Sequence, residues 1–342
     1  MFVLRDVSAD DLDDLHAAAR HLDSVNLPDD RAYLTALIDL SSRSFAGEVD
    51  VAARRFVFVL VDEARGRVVG ASSIFARHGT PRSPHIFFDV IEEQRYSETL
   101  DRHVAHRVLR IGYDYQGLTE IGGLVLLPEY RGHPEQLGRL LSYVRFLFIA
   151  RHRAVFCKEV VSELMPPLEP DGTSLLWESL GRKFTGLTYQ EADRLSHENK
   201  EFIRALFPQD PLYATLLPAH VQQLIGQVGP RTKGVEKMLR EVGFEFAHRI
   251  DPFDGGPHFH AATDDITAVA AVRTARVAGD DPAAADVLRR TLVAREAAVA
   301  PRFRAVKALV PAPANDGTLA VPRAARRALG LATGDEVALL PM

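Results

Sequence analysis

Residues 120–148 constrain the fold of this chain more than any other segment. Residues 120–127 form an apolar run typical of a buried strand, and a loop over residues 128–137 follows it. Beyond the loop, apolar residues recur at helical spacing and would share one face of a helix: Leu137, Leu140, Leu141, Val144, Leu147 and Phe148. This order predicts a strand–loop–helix unit in a protein that combines a sheet with helices.

Strand and helix signals alternate along the rest of the chain. Strands are predicted at residues 2–4, 55–62, 67–74, 85–91 and 107–115, and helices at 10–19, 31–41 and 174–183. Residues 184–189 predict a further strand, and a similar helix–glycine–strand phrase at 241–246 suggests an internal duplication. Beyond residue 261 we predict a helical or mobile insertion at 277–302, strands at 304–311, 317–321 and 336–340, and a helix at 323–329.

Length and composition exclude several classes of protein. A chain of 342 residues is long enough for two domains and a small third. Its 41 basic and 46 acidic residues give a net charge of −5, without the basic excess of a sequence-independent nucleic-acid binder. The single cysteine, Cys157, excludes an intramolecular disulfide. With no secretion signal at the N-terminus and no apolar run of about 18 residues, we expect a cytoplasmic protein that does not bind membranes.

The strand–loop–helix segment also has the layout that an acyl-CoA site needs. Free N–H groups at a helix N-terminus attract phosphate oxygens. An exposed N–H group at the end of a splayed strand can stabilise a developing oxyanion. The candidates for the phosphate loop are Arg131, Gly132, Gly138 and Arg139.

This loop resembles motif A of the GNAT acyltransferases, which usually reads Arg or Gln, two residues, Gly, one residue, then Gly or Ala. Here the loop is longer and poorer in glycine, and it carries Glu135 where a phosphate is expected. Further phrases, in family order, resemble the arginine N-succinyltransferases: Thr119-Glu120-Ile121, Pro128-Glu129-Tyr130-Arg131, Trp177-Glu178-Ser179-Leu180-Gly181, Pro211-Leu212-Tyr213, Ile225-Gly226-Gln227-Val228 and Phe253-Asp254-Gly255-Gly256-Pro257.

The resemblance implies an α+β fold with a GNAT-type mixed sheet and flanking helices, duplicated in part, plus a small C-terminal β-rich subdomain. We expect a GNAT-like acyl-CoA-binding domain at 1–172, a second GNAT-like half carrying the acceptor site at 173–260, and the C-terminal subdomain at 261–342. The implied reaction is transfer of succinyl from succinyl-CoA to the α-amino group of L-arginine, in arginine catabolism, with the acyl-CoA as co-substrate and no permanently bound cofactor. Leu124 matches the family's succinyl-CoA-binding leucine, and Leu126, in the same strand, is a candidate with it.

The main departure from the family lies at the catalytic histidine. Family members read Gly-Gln-Val-His-Pro where this chain has Gly229 in the histidine position. Substitute proton acceptors are His220 and either His258 or His260, although a structural role is open for each. Tyr213 could protonate the departing thiolate, as an alternative to a packing role.

Two acidic residues are candidates for binding a cationic substrate. Asp251 lies two residues before the Phe-Asp-Gly-Gly-Pro phrase and Asp254 lies within it, where Asp254 could equally form a turn. His258 and His260 would share one strand face, but two histidines without a third placed ligand do not predict a metal site.

Two other functions stay open. Gly229 favours a non-catalytic or altered-specificity paralogue, which fits a family that includes paired, non-identical chains; we therefore expect a homo-oligomer or a hetero-oligomer with a paralogous chain. The tail from Leu319 to Val337 resembles swapped-hairpin DNA-binding regulators, but the charge balance argues against a nucleic-acid partner. The predicted partners are therefore small molecules, an acyl-CoA and an amino acid.

Overall fold

The computed structural model describes residues 1–21, 27–81, 83–279, 281–282 and 287–342. These residues form two compact units, each made of segments that are not consecutive in sequence. The first unit contains Met1–Arg77, Thr119–Lys158 and Ala262–Met342, and the second contains His78–Leu118 and Glu159–Ala261.

Fifteen strands lie within the described residues. In chain order they are β1 (Phe2–Asp6), β2 (Arg55–Asp62), β3 (Arg67–His78), β4 (His85–Ser97), β5 (Arg102–Asp114), β6 (Leu118–Leu126), β7 (Glu159–Glu163), β8 (Leu212–Tyr213), β9 (Glu245–Ile250), β10 (Pro257–Ala262), β11 (Arg273–Val277), β12 (Arg289–Glu296), β13 (Phe303–Val310), β14 (Thr318–Leu319) and β15 (Glu336–Pro341).

The same residues contain eleven α-helices, several of them a single turn long. They are α1 (Leu12–Ala19), α2 (Arg31–Phe45), α3 (Leu137–Arg151), α4 (Leu175–Ser179), α5 (Gly181–Thr185), α6 (Tyr189–Glu198), α7 (Glu201–Leu206), α8 (Ala219–Leu224), α9 (Lys233–Glu241), α10 (Thr267–Ala270) and α11 (Arg323–Leu329).

The first unit is a mixed sheet with helices packed against it. Its strands follow the order β14-β11-β15-β12-β13-β1-β2-β3-β6, with β11 and β14 parallel and β1 antiparallel to β2. An aromatic cluster joins α3 to the sheet, since the Phe148 ring lies 4.7 Å from Phe56, 5.3 Å from Phe58 and 5.7 Å from Phe303, centre to centre. Aromatic burial of this kind is a large hydrophobic contribution to the core.

Helix α3 is the central helix of this unit. The six apolar residues that predicted an amphipathic face are all buried, which confirms the helix and its inner face. Five more residues are buried as well: Ser142, Tyr143, Arg145, Phe146 and Ile149. The helix is therefore enclosed on nearly all sides and lacks the polar, solvent-exposed face of a surface helix. Burial lowers the pKa of the fully enclosed Arg145 guanidinium to about 9.

The second unit has six strands in the order β7-β10-β9-β4-β5-β8. Strands β4 and β5 form a long hairpin, paired from His85 opposite Asp114 to Ser97 opposite Arg102. One side of the sheet is covered by a core centred on Trp177, whose ring stacks on Phe253 at 5.0 Å with an angle of 7° between the ring planes. The Phe253 loop, which follows β9, is thereby held against the helices.

The sequence predicts much of this architecture correctly. The α+β class, with a mixed sheet and flanking helices, is confirmed, and the β-rich C-terminal segment forms β13, β14, α11 and β15 close to the predicted positions. The proposed domain boundaries near residues 172 and 260 stay a prediction. The two units are defined by spatial contact, whereas the predicted domains were defined by resemblance to the family. Among the described residues, no helix is both long and apolar enough to cross a membrane.

Two local predictions are wrong. Residues 184–189 do not form a strand: α5 ends at Thr185, Gly186 has a positive φ of 73°, and α6 begins at Tyr189. Their apolar side chains pack against the Trp177 core and need no sheet. Residues 277–302 are not a helical insertion, since β12 occupies 289–296 and pairs with β13 and β15. Residues 280 and 283–286 of that segment lie outside the described residues.

Candidate functional site

The phosphate-loop candidates lie in the first unit, where β6 leads into α3. Gly123 interrupts β6 with a positive φ of 57°, a conformation that favours glycine. After it the burial alternates, so that Val125 and Leu127 are buried while Leu124 and Leu126 are half-buried. The two predicted leucines therefore lie on the less buried side of the strand end.

The start of α3 leaves an open, polar surface. Gln136, at the N-cap, has a φ of 57° and makes no side-chain capping hydrogen bond. Gly138, the second residue of the helix, has no heavy atom within 4 Å of the place where a Cβ would stand. The Arg139 and Leu140 amides of this turn donate to the Gln136 carbonyl oxygen, at 2.9 Å and 3.2 Å. The open space beside Gly138 leaves room for a phosphate group at the helix N-terminus.

The two arginines of the loop are already oriented. Arg131 Nε donates to the Leu126 carbonyl oxygen at 3.1 Å, which folds this side chain back over the strand end. Arg139 Nη2 donates to the Tyr143 hydroxyl at 2.8 Å, and the guanidinium lies 4.7 Å above the Tyr143 ring. Gly132, with a φ of 72°, provides the turn between Arg131 and the helix.

Glu135, the acidic residue of the loop, is neutralised by a lysine that sequence reasoning missed. Lys307 Nζ lies 3.4 Å from the Glu135 carboxylate and donates to the Glu135 carbonyl oxygen at 2.6 Å. Lys307 belongs to β13, so no local spacing links it to the loop. The Lys307 charge partly offsets the carboxylate charge that would oppose a phosphate.

A second group of polar side chains lies at one end of the sheet in the second unit. Glu163 is the last residue of β7, His258 is the second residue of β10, and His85 is the first residue of β4. His85 Nε2 lies 2.9 Å from Glu163 Oε1, and His258 Nε2 lies 3.8 Å from the same oxygen. The two imidazoles stack at 5.1 Å, and both are at least 98% buried, whereas a quarter of the Glu163 side chain is exposed.

The two predicted acidic residues lie in the turn that joins β9 to β10. Asp251 Oδ1 accepts from the Phe253 amide at 2.6 Å and from the Asp254 amide at 3.2 Å. Asp254 Oδ1 accepts from the Gly256 amide at 2.7 Å. Asp254 is thus a turn former, as the sequence allowed, and Asp251 shares a cluster with Glu163 and His258 in which all three donor atoms lie within 4.8 Å of one another.

The carboxyl groups of this cluster divide into two kinds. Burial would raise the pKa of Glu163, but the charge of His258 and the hydrogen bond with His85 outweigh it and hold that pKa well below its usual value. Burial, together with the Glu163 charge, raises the pKa of Asp251 to about 7. Burial and the Asp251 charge also raise the pKa of Asp254. Both carboxyl groups of the turn therefore resist ionisation, and a bound cation would favour their charged form.

Gly229, at the family's histidine position, has no room for a side chain. A Cβ there would lie 2.6 Å from the Pro166 carbonyl oxygen and 2.9 Å from that of Met165. The Gly229 amide donates to the Met165 carbonyl at 2.8 Å, so the two main chains are in direct contact. Gly256 makes a similar close approach, because its Cβ would overlap the Leu164 carbonyl oxygen. The Leu164–Met165–Pro166 segment, which we call the wedge, thus lies between two glycines.

The other catalytic candidates are not brought to this cluster. His220 is exposed in the first turn of α8, and within the part of the chain that the structure describes no hydrogen bond or ion pair holds it. The Tyr213 hydroxyl donates to Glu93 at 2.8 Å and accepts from Arg95 at 2.7 Å, on the β4–β5 hairpin. Tyr213 is on β8, four strands from β10, which corresponds to roughly 19 Å.

His260 pairs with Glu159 on β7, much as His258 pairs with Glu163. Of the histidines proposed from the sequence, His258 is the one that the structure places in the acidic cluster. His78, His85 and Glu163 were missed, because no motif marks the two histidines and Glu163 comes from β7, far from them in the chain.

Comparison with known proteins gives one consistent result. Residues 2–268 match the family model described as arginine N-succinyltransferase beta subunit. The chain is 33% identical to an arginine N-succinyltransferase of Yersinia pseudotuberculosis, over 100% of this chain and 98% of the relative. It is 34% identical to an arginine N-succinyltransferase of Salmonella newport, over 92% of this chain and 90% of the relative. The chain also resembles a solved structure, that of arginine/ornithine succinyltransferase subunit AI from Pseudomonas aeruginosa. The sequence identity is 31% and the TM-score is 0.82, over 100% of this chain and 98% of the solved one.

The contact between Gly229 and the wedge predicts a steric effect on stability. Gly229→Ala should lower the free energy of unfolding by about 1–3 kcal/mol, because the Pro166 main chain must move to admit a methyl group. Gly229→His should cost at least as much, and should not restore a family-type site. Urea unfolding followed by circular dichroism measures both.

Gly234→Ala is the matched control for this prediction. Gly234 lies in the first turn of α9 with no heavy atom within 4 Å of its Cβ position, so alanine should leave stability unchanged or raise it by up to about 1 kcal/mol. A Gly229→Ala protein as stable as the wild type would contradict the steric account.

Proposed function

The chain belongs to the arginine N-succinyltransferase family, and on that premise we propose that it transfers the succinyl group of succinyl-CoA to the α-amino group of L-arginine, a step of arginine catabolism. The observation that carries this proposal is the similarity over the whole chain to relatives of that name. The start of α3 and the turn between β9 and β10 support the proposal, because each offers a candidate binding place for one substrate. No permanently bound cofactor takes part.

The donor acyl-CoA binds where β6 meets α3. The N-terminal end of α3 receives the pyrophosphate, in the open space beside Gly138. Arg139, steadied by Tyr143, adds positive charge at the same helix end. The main chain near Leu124, beside the positive-φ Gly123, is the candidate contact for the thioester carbonyl.

The acceptor amino acid binds at the acidic turn between β9 and β10. Arginine brings two cationic groups, and a guanidinium matches the two oxygens of a carboxylate in a bidentate pair. Asp251 and Asp254 supply carboxyl groups whose raised pKa values reflect burial and crowded negative charge. A cationic substrate relieves that crowding, which favours arginine over a neutral amino acid.

Proton transfer is assigned to His258, with Glu163 as its partner. The α-ammonium group must lose a proton before its nitrogen can attack the thioester carbon. Glu163 lies 3.8 Å from His258 Nε2 and stabilises the imidazolium that results. The new C–N bond forms as the C–S bond breaks, the proton on His258 passes to the departing thiolate, and the nitrogen releases its second proton to solvent as the amide forms. Glu163 and His258 would together take over the role of the family histidine that Gly229 replaces.

A second candidate function is that of a non-catalytic or altered-specificity partner chain. The observation that favours it is Gly229, whose side-chain space is filled by the Pro166 main chain. Such a chain would keep acyl-CoA binding without arginine-dependent transfer. It would act in an oligomer with a catalytic paralogue, whereas the active enzyme could be a homo-oligomer.

The two candidates differ in turnover. With succinyl-CoA and a panel of amino acids, the active enzyme should release free thiol only with arginine or a closely related cationic amino acid. His258→Gln should lower kcat/KM by about 10²–10⁴-fold, as expected for loss of a general base. His220→Gln, at an exposed position, should stay within about twofold of the wild type.

Two outcomes would contradict these assignments. Absence of thiol release, with CoA still bound, would favour the partner-chain candidate. Turnover that His258→Gln leaves unchanged, in a variant with a wild-type unfolding temperature, would remove His258 from the mechanism while leaving the activity intact.

The open surface at Gly138 allows a test of donor binding that is independent of turnover. Gly138→Ala puts a methyl group at the proposed phosphate position, and loss of one charge-assisted hydrogen bond should weaken CoA binding about tenfold. Stability should not fall, because alanine is a better helix residue than glycine. Isothermal titration with CoA measures the affinity.

Gly234→Ala is again the matched control, since it makes the same change at the second residue of α9. It should leave CoA affinity unaltered. Equal affinities for wild type and Gly138→Ala would contradict a phosphate site at the start of α3.

A further inference from the structure

Three imidazoles converge on one carboxylate in the second unit. Besides His85 and His258, Glu163 has His78 near it, the last residue of β3 and the first of this unit. One donor atom from each of His78, His85 and Glu163 lies within 4.8 Å of the other two. Glu163 is also shared with a second group, formed with Asp251 and His258.

The spacing of these donors is close to that of a metal site. With bonds of about 2.0–2.1 Å, neighbouring ligand atoms in a tetrahedral zinc site lie roughly 3.3 Å apart. His85 Nε2 and Glu163 Oε1 are 2.9 Å apart, and the rings of His78 and His85 are 4.7 Å apart and inclined by 69°. The third donor atom, from His78, lies within 4.8 Å of both, so one ion could be shared by the three side chains.

The chemistry of the donors selects the class of ion. Two imidazole nitrogens and one carboxylate oxygen suit zinc and neighbouring divalent transition metals, whereas magnesium and calcium prefer oxygen ligands. Two histidines and one carboxylate also leave a fourth position for water or a further ligand. Asp251 and His258, which already contact Glu163 in the second group, are the nearest candidates for that position.

The burial of the ligand side chains is consistent with a metal site. The His85 side chain is 2% exposed and Glu163 is 25% exposed, so the donors combine an enclosed imidazole with a carboxylate that solvent can reach. The exposed edge of Glu163 gives an ion a route of entry.

We propose that His78, His85 and Glu163 form a binding site for a divalent transition-metal ion of the zinc class. The proposal goes beyond the acyl transfer, none of whose steps uses a metal. Glu163 has two carboxylate oxygens, of which Oε1 lies nearest to both His85 and His258. An ion in this site would also tie the start of β4 to the end of β7.

The test uses the full-length protein, stripped with a chelator and dialysed. Titration with Zn²⁺ in the presence of a competing chromophoric chelator should give one tight equivalent per chain, with a rise in the unfolding temperature. His78→Gln, which changes the less enclosed histidine, should weaken zinc binding at least about tenfold. His260→Gln changes a histidine that pairs with Glu159 outside the site, and should bind zinc like the wild type.

Each result has a defined meaning. Wild-type affinity in His78→Gln, or binding only at millimolar zinc, would overturn the proposal. An equal loss in His260→Gln would show that binding is not at this site and would overturn it as well. The stripped His78→Gln protein must unfold at the temperature of the stripped wild type, so that lost binding cannot be attributed to misfolding. The readout is bound zinc, so the result does not depend on whether the chain is an active succinyltransferase.

Discussion

The main-chain contact of the wedge with Gly229 and Gly256 is the constraint on which the second unit's site depends. Both glycines accept the 164–166 main chain at distances that no Cβ would allow. Hydrogen bonds fix the contact, since the Met165 carbonyl accepts from the Gly229 amide at 2.8 Å and from Thr232 Oγ1 at 2.9 Å. Because Glu163 directly precedes the wedge, this contact also sets the position of its carboxylate.

The position of Glu163 in turn organises the charges around it. His85 and His258 stabilise its negative charge, and that charge helps to keep the protons on Asp251. A family histidine at position 229 would require the wedge to move, and with it Glu163. The replacement by glycine is therefore coupled to the arrangement of the whole cluster, and we infer that Glu163 and His258 form the alternative proton-transfer pair. The first unit supplies the donor side separately, through the open first turn of α3.

The sequence predicts those features that depend on local spacing. The strand–loop–helix segment, the first half of β4, the second half of β5 and the C-terminal helix could be predicted because their apolar residues follow helical or strand periods. Residues 184–189 could not, since the same apolar residues serve a helical core around Trp177. The site was predicted only in part. Asp251, Asp254 and His258 lie in or next to a family phrase, whereas Lys307, His85 and Glu163 reach their partners through long-range strand pairing.

A double-mutant cycle tests the central claim most directly. The values of kcat/KM for arginine and succinyl-CoA are measured for Glu163→Gln, His258→Gln and the double variant. If the two residues act as one unit, the double variant should lose little more activity than His258→Gln alone, which gives strong non-additivity. Losses that multiply, or a Glu163→Gln protein with wild-type activity, would contradict the account.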